Sequence, residues 1–292
     1  MAKRQQAKPG QDTVEAQAEA VAEKEYLEGH EQRDAAVRAA PRAAIVYEAV
    51  RLEGDEELAR PVAALFWSGL AAGLSMGFSF ITKSLMAYWL PDAAWTPVIT
   101  GLGYSVGFLI VILGRQQLFT ENTLTPILVV LRRWTVETVG RTLRLWVIVL
   151  VANTIGAFLF ALLIAETPLF NQNVHDSLAI VSIHAFGDFS AVLLRGIFAG
   201  WLIAMIIWLL PFAETARVAV IVLLTYVISL GHFPHIIAGA IGAFYAALVG
   251  HVGWGAVFMN FYIPALLGNV IGGVSLVALV NYAQVENLAS RR

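Results

Sequence analysis

The chain has 292 residues, of which 58% are hydrophobic and 14% charged, with a formal net charge of −2 and a mean hydropathy of +0.70. Soluble domains carry about a quarter charged residues, so the composition excludes an ordinary soluble globular protein. Residues 1–60 hold 9 Lys/Arg and 13 Asp/Glu, which is 22 of the 40 charges, whereas the 232 residues that follow share 18. This unevenness predicts a polar segment attached to a bilayer-soluble body.

Several function classes are excluded by what the sequence lacks. The chain has no cysteine, which rules out disulfides, cysteine zinc sites and iron–sulfur clusters. No basic stripe with interleaved aromatic residues occurs, so no nucleic-acid partner is expected. The histidines and carboxylates do not have the spacing of metal ligands, and no nucleophile motif appears. We therefore expect no cofactor, no metal and no enzymatic activity.

The first 60 residues are predicted to lie outside the bilayer. The start, MAKRQQAKPG, is followed by polar residues rather than by a short apolar stretch, which argues against a cleavable signal peptide. Residues 1–40 lack a continuous apolar face, so we expect a solvated tail that is partly helical or disordered. A regulatory or partner-binding role is the alternative for this tail. The stretch 43–60 is expected to lie along the membrane surface.

Six apolar segments follow. They are Val62–Ile81, Val98–Leu113 resuming as Leu124–Leu131, Leu145–Ala165, Val192–Phe212, Val218–Leu230 resuming as Ile236–Val249, and Val257–Val280. The second and the fifth are shorter than the roughly 20 residues that a bilayer requires. A polar run interrupts each of them, GRQQLFTENT at 114–123 and GHFPH at 231–235. The predicted fold class is therefore an all-α integral membrane protein with six transmembrane helices, of which helices two and five are broken.

The placement of basic residues predicts the orientation. They cluster after spans two and four and at the end of the chain, as Arg132, Arg133, Arg141, Arg144, Arg217, Arg291 and Arg292. The loops 84–96, 166–190 and 250–254 contain no Lys or Arg. The protein is expected in a bacterial-type inner membrane. By the positive-inside rule, both termini are expected on the cytoplasmic side of that membrane. The expected organisation is a cytoplasmic tail and surface segment at 1–60, a transmembrane channel or transporter domain at 61–285, and a cytoplasmic tail at 286–292.

Short motifs recur in the two halves of the transmembrane region. Gly69-Leu-Ala-Ala-Gly73 in span one returns as Gly196-Ile-Phe-Ala-Gly200 in span four. Asn153-Thr-Ile-Gly156 in span three returns as Asn269-Val-Ile-Gly272 in span six. Because each half has three spans, the second half must enter from the opposite face, which predicts an inverted 3+3 repeat. The glycine pairs are expected to let helices approach closely.

The two breaks are the candidate functional site, because backbone at membrane depth must be buried in protein or line a wet cavity. The half-helices that begin after Thr120 and at Ile236 would each present free N–H groups and a positive dipole end, which favour an anion. His235 stands where the second half-helix begins, and it can donate to an anion or hand it a proton. The alternative is a packed histidine bonded to a backbone carbonyl. His232 is a second candidate.

Arg115 and Glu121 flank the first break. Charges at membrane depth cost roughly 2.5–3.5 kcal/mol each on insertion scales. The two side chains are therefore expected either to pair with each other, which is the preferred interpretation, or to face a wet vestibule. His175 and His184 lie in the loop at 166–190 and are not expected to belong to a site.

At these residues the sequence resembles the formate/nitrite transporter family over nearly all of residues 61–285. The segment GLGYSVGF at 101–108, followed by Leu118-Phe119-Thr120, resembles the family's second helix and its Leu-Phe-Thr loop. RGIFAGWL at 195–202 is similar to the fourth-helix signature. Phe233-Pro-His-Ile-Ile-Ala-Gly239 is similar to the fifth-helix pattern Phe-Glu-His-Ser-Ile-Ala-Asn. The run RQQLFTENT and the long charged N-terminus resemble the YfdC-like branch.

The resemblance implies an aquaporin-like protomer that assembles in the lipid bilayer as a homopentamer, with one pore in each subunit. Members of the family move small monovalent anions of weak acids, such as formate or nitrite. Carried over by position, His235 is implied to be the central pore histidine and Thr120 its hydrogen-bonding neighbour. Apolar constrictions are implied at Tyr104, Phe108, Leu118, Phe119 and Ile228.

Three positions depart from the family pattern. Pro234 replaces the Glu before the histidine, Gly239 the Asn four residues after it, and Gly200 the Asn of the fourth helix. The expected fold does not depend on these residues, but the substrate does. The leading hypothesis is a proton-coupled or protonation-assisted channel for a small anion or its neutral acid. The alternatives are a pore for small neutral solutes and a non-conducting scaffold or sensor that signals through its tail.

Overall fold

The computed structural model describes Gly29, Glu31 and residues 42–289. By its internal contacts the chain divides into two units, Met1–Arg42 and Ala43–Arg292. The tail predicted at 1–40 lies almost entirely outside the described residues, as do residues 290–292 at the C-terminus. From Ala43 to Ala289 the backbone is helical and contains no β-strand.

Fourteen α-helices occupy the described part of the second unit. In chain order they are α1 Ala43–Ala59, α2 Val62–Ser75, α3 Gly77–Trp89, α4 Thr96–Thr100, α5 Ser105–Leu113, α6 Thr125–Arg132, α7 Val136–Glu166, α8 Gln172–Ile183, α9 Phe189–Leu209, α10 Arg217–Leu230, α11 Ile236–Leu248, α12 Trp254–Val257, α13 Ile263–Ile271 and α14 Val280–Ala289. Short 3-10 segments lie at Gly101–Tyr104, Glu121–Thr123 and Leu210–Phe212, and π-helical turns at Phe258–Tyr262 and Gly272–Leu279.

Five helical stretches of the described chain are long and apolar enough to cross a membrane. They are Val62–Trp89, Thr96–Leu113, Val136–Glu166, Phe189–Phe212 and Trp254–Val285. Two further helices, Arg217–Leu230 and Ile236–Leu248, are apolar but shorter. The helices of the predicted second and fifth spans therefore end at the polar runs 114–123 and 231–235, as the sequence predicts.

Three features differ from the sequence prediction. The first span continues past Ile81 to Trp89, with a step at Met76 between α2 and α3. Helix α7 begins at Val136 rather than at residue 145, because the Thr135 side chain caps it by accepting the Thr138 N–H. The segment 166–190, expected to be a loop, contains α8, which packs against α3 and α11.

Two helix pairs pack extensively against each other, α2 against α7 and α9 against α13. A Cβ atom added at Gly73 would lie 2.2 Å from the Asn153 carbonyl oxygen, and one added at Gly200 would lie 2.2 Å from the Asn269 carbonyl oxygen. Only glycine permits backbones to approach this closely. The predicted close approach is therefore confirmed, and it brings both asparagines beside the breaks.

Apolar side chains also cover the outside of the bundle. On α7 every fourth residue of one stripe is apolar and 39–61% exposed: Leu143, Val147, Val151, Ile155, Leu159 and Leu163. Such a continuous stripe is unfavourable in water and suits contact with lipid or with another protein surface.

Helix α1 packs against α6 beside the first break. The Tyr47 hydroxyl donates to the Leu128 carbonyl (3.2 Å), and Val50 is fully buried. Arg51 forms ion pairs with Glu48 and Asp55 on the same helix. The packing brings the C-terminal turns of α1, with their carboxylates, next to the polar run at 114–123.

Candidate functional site

The two breaks have the same backbone conformation. Each follows a glycine at the end of a helix, and the next residue is left-handed, with φ of 50° at Arg115 and 48° at His232. The preceding helix is closed by an equivalent hydrogen bond in each case, Gln116 N–H to Val111 O and Phe233 N–H to Ile228 O, both 3.0 Å. A left-handed residue is a common way of ending a helix, because it turns the chain and satisfies its last carbonyls.

A buried asparagine of the second half holds the second break. Asn269 Oδ1 accepts the Ile236 N–H (2.9 Å), and Asn269 Nδ2 donates to the carbonyls of Gly196 and Pro234, both at 2.9 Å. One side chain thus satisfies three backbone groups that the break and its neighbouring helix leave free.

Asn153 does the same at the first break. Its Oδ1 accepts the Phe119 N–H (2.8 Å), and its Nδ2 donates to the carbonyls of Gly69 (2.7 Å) and Gln117 (2.9 Å). Sequence reasoning singled out both asparagines as members of a recurring motif but assigned them no role. Their partners lie more than thirty residues away, so no local pattern signals this function.

The two breaks meet at Thr120 and His235. His235 is 1% exposed and Thr120 is fully buried, and Thr120 Oγ1 lies 2.7 Å from His235 Nε2. His235 Nδ1 accepts the Ala238 N–H (3.1 Å), so the ring caps α11. Because Nδ1 accepts, the proton of a neutral ring must be on Nε2, which then donates to the threonine hydroxyl. The Thr120 hydroxyl hydrogen is left free to point elsewhere.

Apolar rings and side chains surround this hydrogen bond. The Phe108 ring stands edge-on to the His235 ring with 5.0 Å between centroids, and the Tyr104 ring lies 5.2 Å from that of Phe108. Phe108 and Leu118 are fully buried and Phe119 is 2% exposed. Of the predicted constriction residues, Phe108 therefore contacts the imidazole, Tyr104 packs on Phe108, and Leu118 and Phe119 are buried immediately before Thr120 in the chain.

A cavity of about 90 Å³, here named the second-break cavity, opens beside His235. Its lining includes Tyr104, Ile228, His232 and His235, and also Lys83 and His184. The Lys83 ammonium donates to Ser229 Oγ (3.1 Å), and among the described residues no carboxylate lies within ion-pairing distance of it. The His184 and His232 rings stack at 6.1 Å. Lys83 and His184 were not predicted as site residues.

A second cavity, of about 370 Å³, lies beside the first break and is here named the first-break cavity. Arg115 and Glu121 both line it. Arg115 pairs with Glu53 of α1 (2.9 Å), so the preferred interpretation, a pair between Arg115 and Glu121, is wrong. The reason is that α1 brings a closer carboxylate to the guanidinium. Among the described residues the two cavities have no lining residue in common.

Glu57 is the most unusual residue of the first-break cavity. It is 7% exposed, and its carboxylate accepts a hydrogen bond from the Thr125 hydroxyl and another from Gln117 Nε2 (3.4 Å). Burial raises the pKa of the Glu57 carboxyl to about 7, and the hydrogen bonds from Thr125 and Gln117 only partly offset this. Sequence reasoning assigned Glu57 to a surface segment, because its partners are about sixty residues away.

The three positions that depart from the family pattern are closely packed. A Cβ atom at Gly200 would lie 2.2 Å from the Asn269 carbonyl oxygen, and one at Gly239 would lie 2.5 Å from the Phe261 ring. The Pro234 carbonyl accepts from Asn269. Neither glycine position can therefore hold an asparagine side chain without displacement of its neighbours.

This arrangement defines a class of protein. Two broken apolar helices meet at a buried polar pair, one cavity opens beside its histidine and a second lies at the first break, and broken helices of this kind are typical of membrane channels and transporters. The model of the formate/nitrite transporter family matches residues 44–283, and the chain belongs to this family. The resemblance predicted from the sequence is thereby confirmed.

Relatives and solved structures agree with this membership. The chain is 37% identical to the inner membrane protein YfdC of Escherichia coli (strain K12) over 252 residues, which cover 86% of the chain and 81% of YfdC. It is 23% identical to the formate channel BtFdhC of Bacillus thuringiensis, covering 79% of the chain and 90% of the relative. A pentameric formate channel with formate bound superposes with a TM-score of 0.64 at 19% identity, covering 76% of the chain and 97% of that channel. The fold is therefore that of the family's channels.

Proposed function

We propose that this protein passes a small monovalent anion of a weak acid, such as formate or nitrite, or the corresponding neutral acid, between the second-break and first-break cavities. The observation that carries the proposal is the buried hydrogen bond of 2.7 Å between Thr120 and His235 at the meeting point of the breaks. The formate channels among the relatives support the substrate class.

The polar pair would serve as a hydrogen-bond donor. With Nε2–H engaged by the Thr120 oxygen, the threonine hydroxyl hydrogen can turn towards a passing oxyanion. Lys83, without a carboxylate partner among the described residues, would draw the anion into the second-break cavity. His232 lines the same cavity and would join this approach. The positive end of the α11 helix dipole favours the same charge.

The apolar residues would select against hydrated ions. Tyr104 and Ile228 line the second-break cavity, while Phe108, Leu118 and Phe119 are buried around the polar pair. A hydrated ion would have to lose water there with few polar groups in exchange, whereas a neutral acid would not. Arg115 and Glu121 would line the other pore entrance, at the first-break cavity.

The proton of the acid must come from outside the imidazole. Since His235 Nδ1 is occupied by the Ala238 N–H, a doubly protonated ring would first have to give up its cap of α11. The geometry thus favours a neutral histidine that orients the solute, with the proton travelling on the solute itself. The sequence analysis also allowed His235 to transfer its own ring proton to the anion, and the present proposal differs in that respect.

We further propose six spans in an inverted 3+3 repeat, cytoplasmic termini and a homopentamer in the bilayer. The matched left-handed residues and the equivalent roles of Asn153 and Asn269 support the repeat. The pentameric structural neighbour supports the assembly. The native chain has no cysteine, so single substitutions Gly140→Cys and Gly253→Cys, each with open space around the residue, would test the topology. A membrane-impermeant maleimide should label the two variants from opposite faces, and labelling from one face would contradict this.

The transport proposal is tested with the full chain in proteoliposomes, by formate and nitrite uptake at several external pH values. The test variant is His235→Asn, because asparagine can still cap α11 but cannot replace the imidazole. His251→Asn, in an exposed loop, is the matched control. Native and control uptake should rise on external acidification, and His235→Asn should lose at least about tenfold, the effect of one lost hydrogen bond. Unchanged uptake in His235→Asn would refute the role of the histidine.

A neutral-solute pore is the second candidate. It is favoured by the neutral tautomer of His235 and by the packing that closes Gly200 and Gly239 to any amide side chain. Osmotic swelling of the same proteoliposomes in urea or small polyols, from protein that takes up neither formate nor nitrite, would support this candidate. Impermeability to urea and small polyols would exclude the neutral-solute pore.

A further inference from the structure

Helix α1 carries a buried carboxyl group that the proposed pore residues leave unexplained. Glu57 is 7% exposed, and its two hydrogen-bonding partners, Thr125 and Gln117, are both uncharged. Among the described residues it forms no ion pair. An ionised carboxylate buried without a cation is strongly unfavourable, so a group in this position tends to bind a proton.

Glu121 provides a second carboxyl in the same cavity. Its Oε1 atom is buried and has no hydrogen-bond partner among the described residues, although it lines the first-break cavity together with Glu57. Gln117 donates to Glu57, and the Asn122 amide, one residue after Glu121, contacts Gln117 and lies 3.3 Å from the Glu57 carboxylate, so neutral amides surround this carboxyl. Two carboxylates in one partly desolvated cavity repel each other, so ionising both is unfavourable.

The surrounding charges leave this pair without a direct cation. On α1 the nearest charged groups are Glu53, Glu56 and Arg60, and Arg115 of the break is paired with Glu53. On the elements packed against α1, Arg132 ends α6 and faces Glu48, and Arg133 follows it and faces Asp55. Arg144 of α7 donates to the Leu58 and Arg60 carbonyls. Arg217 also lines the cavity, and the Tyr282 ring of α14 lies 6.1 Å from the Tyr47 ring in a tilted arrangement.

We propose that Glu57 and Glu121 form a proton-binding site in the first-break cavity, that the pair holds one proton near neutral pH, and that this proton determines how readily the cavity admits an anion. The second part rests on the proposed transport function, whereas the first does not. The raised pKa of Glu57, about 7 because of burial, agrees with the geometry.

The net charge of the residues that line the cavity explains how the proton would change anion entry. Four carboxyl groups, Glu53, Glu56, Glu57 and Glu121, face three guanidinium groups, Arg60, Arg115 and Arg217. With one proton on the pair the lining is neutral, and without it the lining carries one net negative charge. An anion entering from this side is therefore repelled once the pair is fully ionised.

Proton binding is measured without any transported solute. Infrared difference spectra of the full chain between about pH 5 and about pH 9 follow the carbonyl band of protonated carboxylic acids. The variants are Glu57→Gln and Glu121→Gln, which keep the shape of the side chain but cannot ionise, and the matched control is Glu137→Gln, an exposed carboxyl at the start of α7. Native protein and control should show a component with a midpoint near pH 7. Glu57→Gln and Glu121→Gln should each move it to lower pH, because the remaining carboxyl is no longer repelled by the other, and the double variant should lose it.

A folded double variant that keeps this component, or a native protein that lacks it, would overturn the proton site. The effect of the proton on anion entry is measured as anion efflux from proteoliposomes in which the first-break cavity faces the interior. Native flux should fall about fivefold as internal pH rises through neutrality, the size expected for one added charge in a wet cavity. In Glu57→Gln the ratio should be about one, while Glu137→Gln, on the exposed start of α7, should behave as native protein.

The two proposals fail in different ways. Absence of any native flux would contradict the transport function and leave the infrared result to decide the proton site. A native flux with no dependence on internal pH, together with a present infrared component, would overturn the link between the proton and anion entry.

Discussion

Replacing Asn269 by leucine removes the side chain that holds the second break while it preserves size and apolar packing. Three backbone groups lose their partner, the Ile236 N–H and the carbonyls of Gly196 and Pro234. All three contacts are buried, and the asparagine itself is 0% exposed, so water does not replace it. The chain on both sides of His235 is therefore left with unsatisfied groups.

The magnitude follows from these three groups. A buried donor or acceptor left unpaired costs about 1–3 kcal/mol in soluble proteins. Within a membrane protein the net value of one polar contact averages only about 0.6 kcal/mol, because the unfolded chain also finds partners. For three groups lost together we expect Asn269→Leu to lower the free energy of unfolding by about 2–6 kcal/mol. Asn153→Leu should show the same loss, since its three contacts are equivalent.

Reversible unfolding of the detergent-solubilised protein, followed by tryptophan fluorescence, measures this change. Asn173→Ala is the control, because Asn173 is exposed on α8, and its effect should stay within about 0.5 kcal/mol. A loss below about 1 kcal/mol for both leucine variants would refute the reasoning, since it would mean that the breaks hold their shape without the asparagines.

Three further predictions concern packing, protonation and the polar pair. Gly200→Ala should destabilise the protein by about 1–3 kcal/mol, because the new methyl group would meet the Asn269 carbonyl, whereas Gly140→Ala, in open space on α7, should be neutral or slightly stabilising. Glu57→Gln should leave stability unchanged below about pH 4.5 and raise it by about 3 kcal/mol above pH 7, since the native carboxyl, with its pKa raised to about 7, is increasingly unfavourable as it ionises. Thr120→Val should reduce proteoliposome flux at least about tenfold, because it leaves the buried imidazole N–H without an acceptor.

Each of these three has a clear contrary outcome. Equal melting temperatures of Gly200→Ala and Gly140→Ala would mean that the helices accommodate a methyl group beside the Asn269 carbonyl with little loss of stability. A Glu57→Gln stability that runs parallel to that of native protein from acid to alkaline pH would mean that the carboxyl titrates like an exposed one. Native flux in the valine variant would show that the threonine hydroxyl is not part of the path.

The sequence alone predicted the features that depend on a short stretch of chain. Apolar length placed the helices, and the polar runs with glycine and proline placed the breaks after Leu113 and Leu230, because helix formation and its interruption are decided within about twenty residues. The position of His235 at the first residue before α11 follows from the same local signals. The glycine motifs predicted close contact because only a missing Cβ allows it.

Other features depended on residues that are distant in sequence. Arg115 pairs with Glu53, sixty-two residues earlier, and not with its near neighbour Glu121. Glu57 is buried only because α1 packs on α6, and α8 is a helix that gains stability by packing on α3 and α11 rather than from a long apolar run. The Thr120–His235 bond joins residues 115 positions apart. Ion pairs, buried charges and such contacts depend on which surfaces meet in three dimensions, and only the tertiary structure decides that.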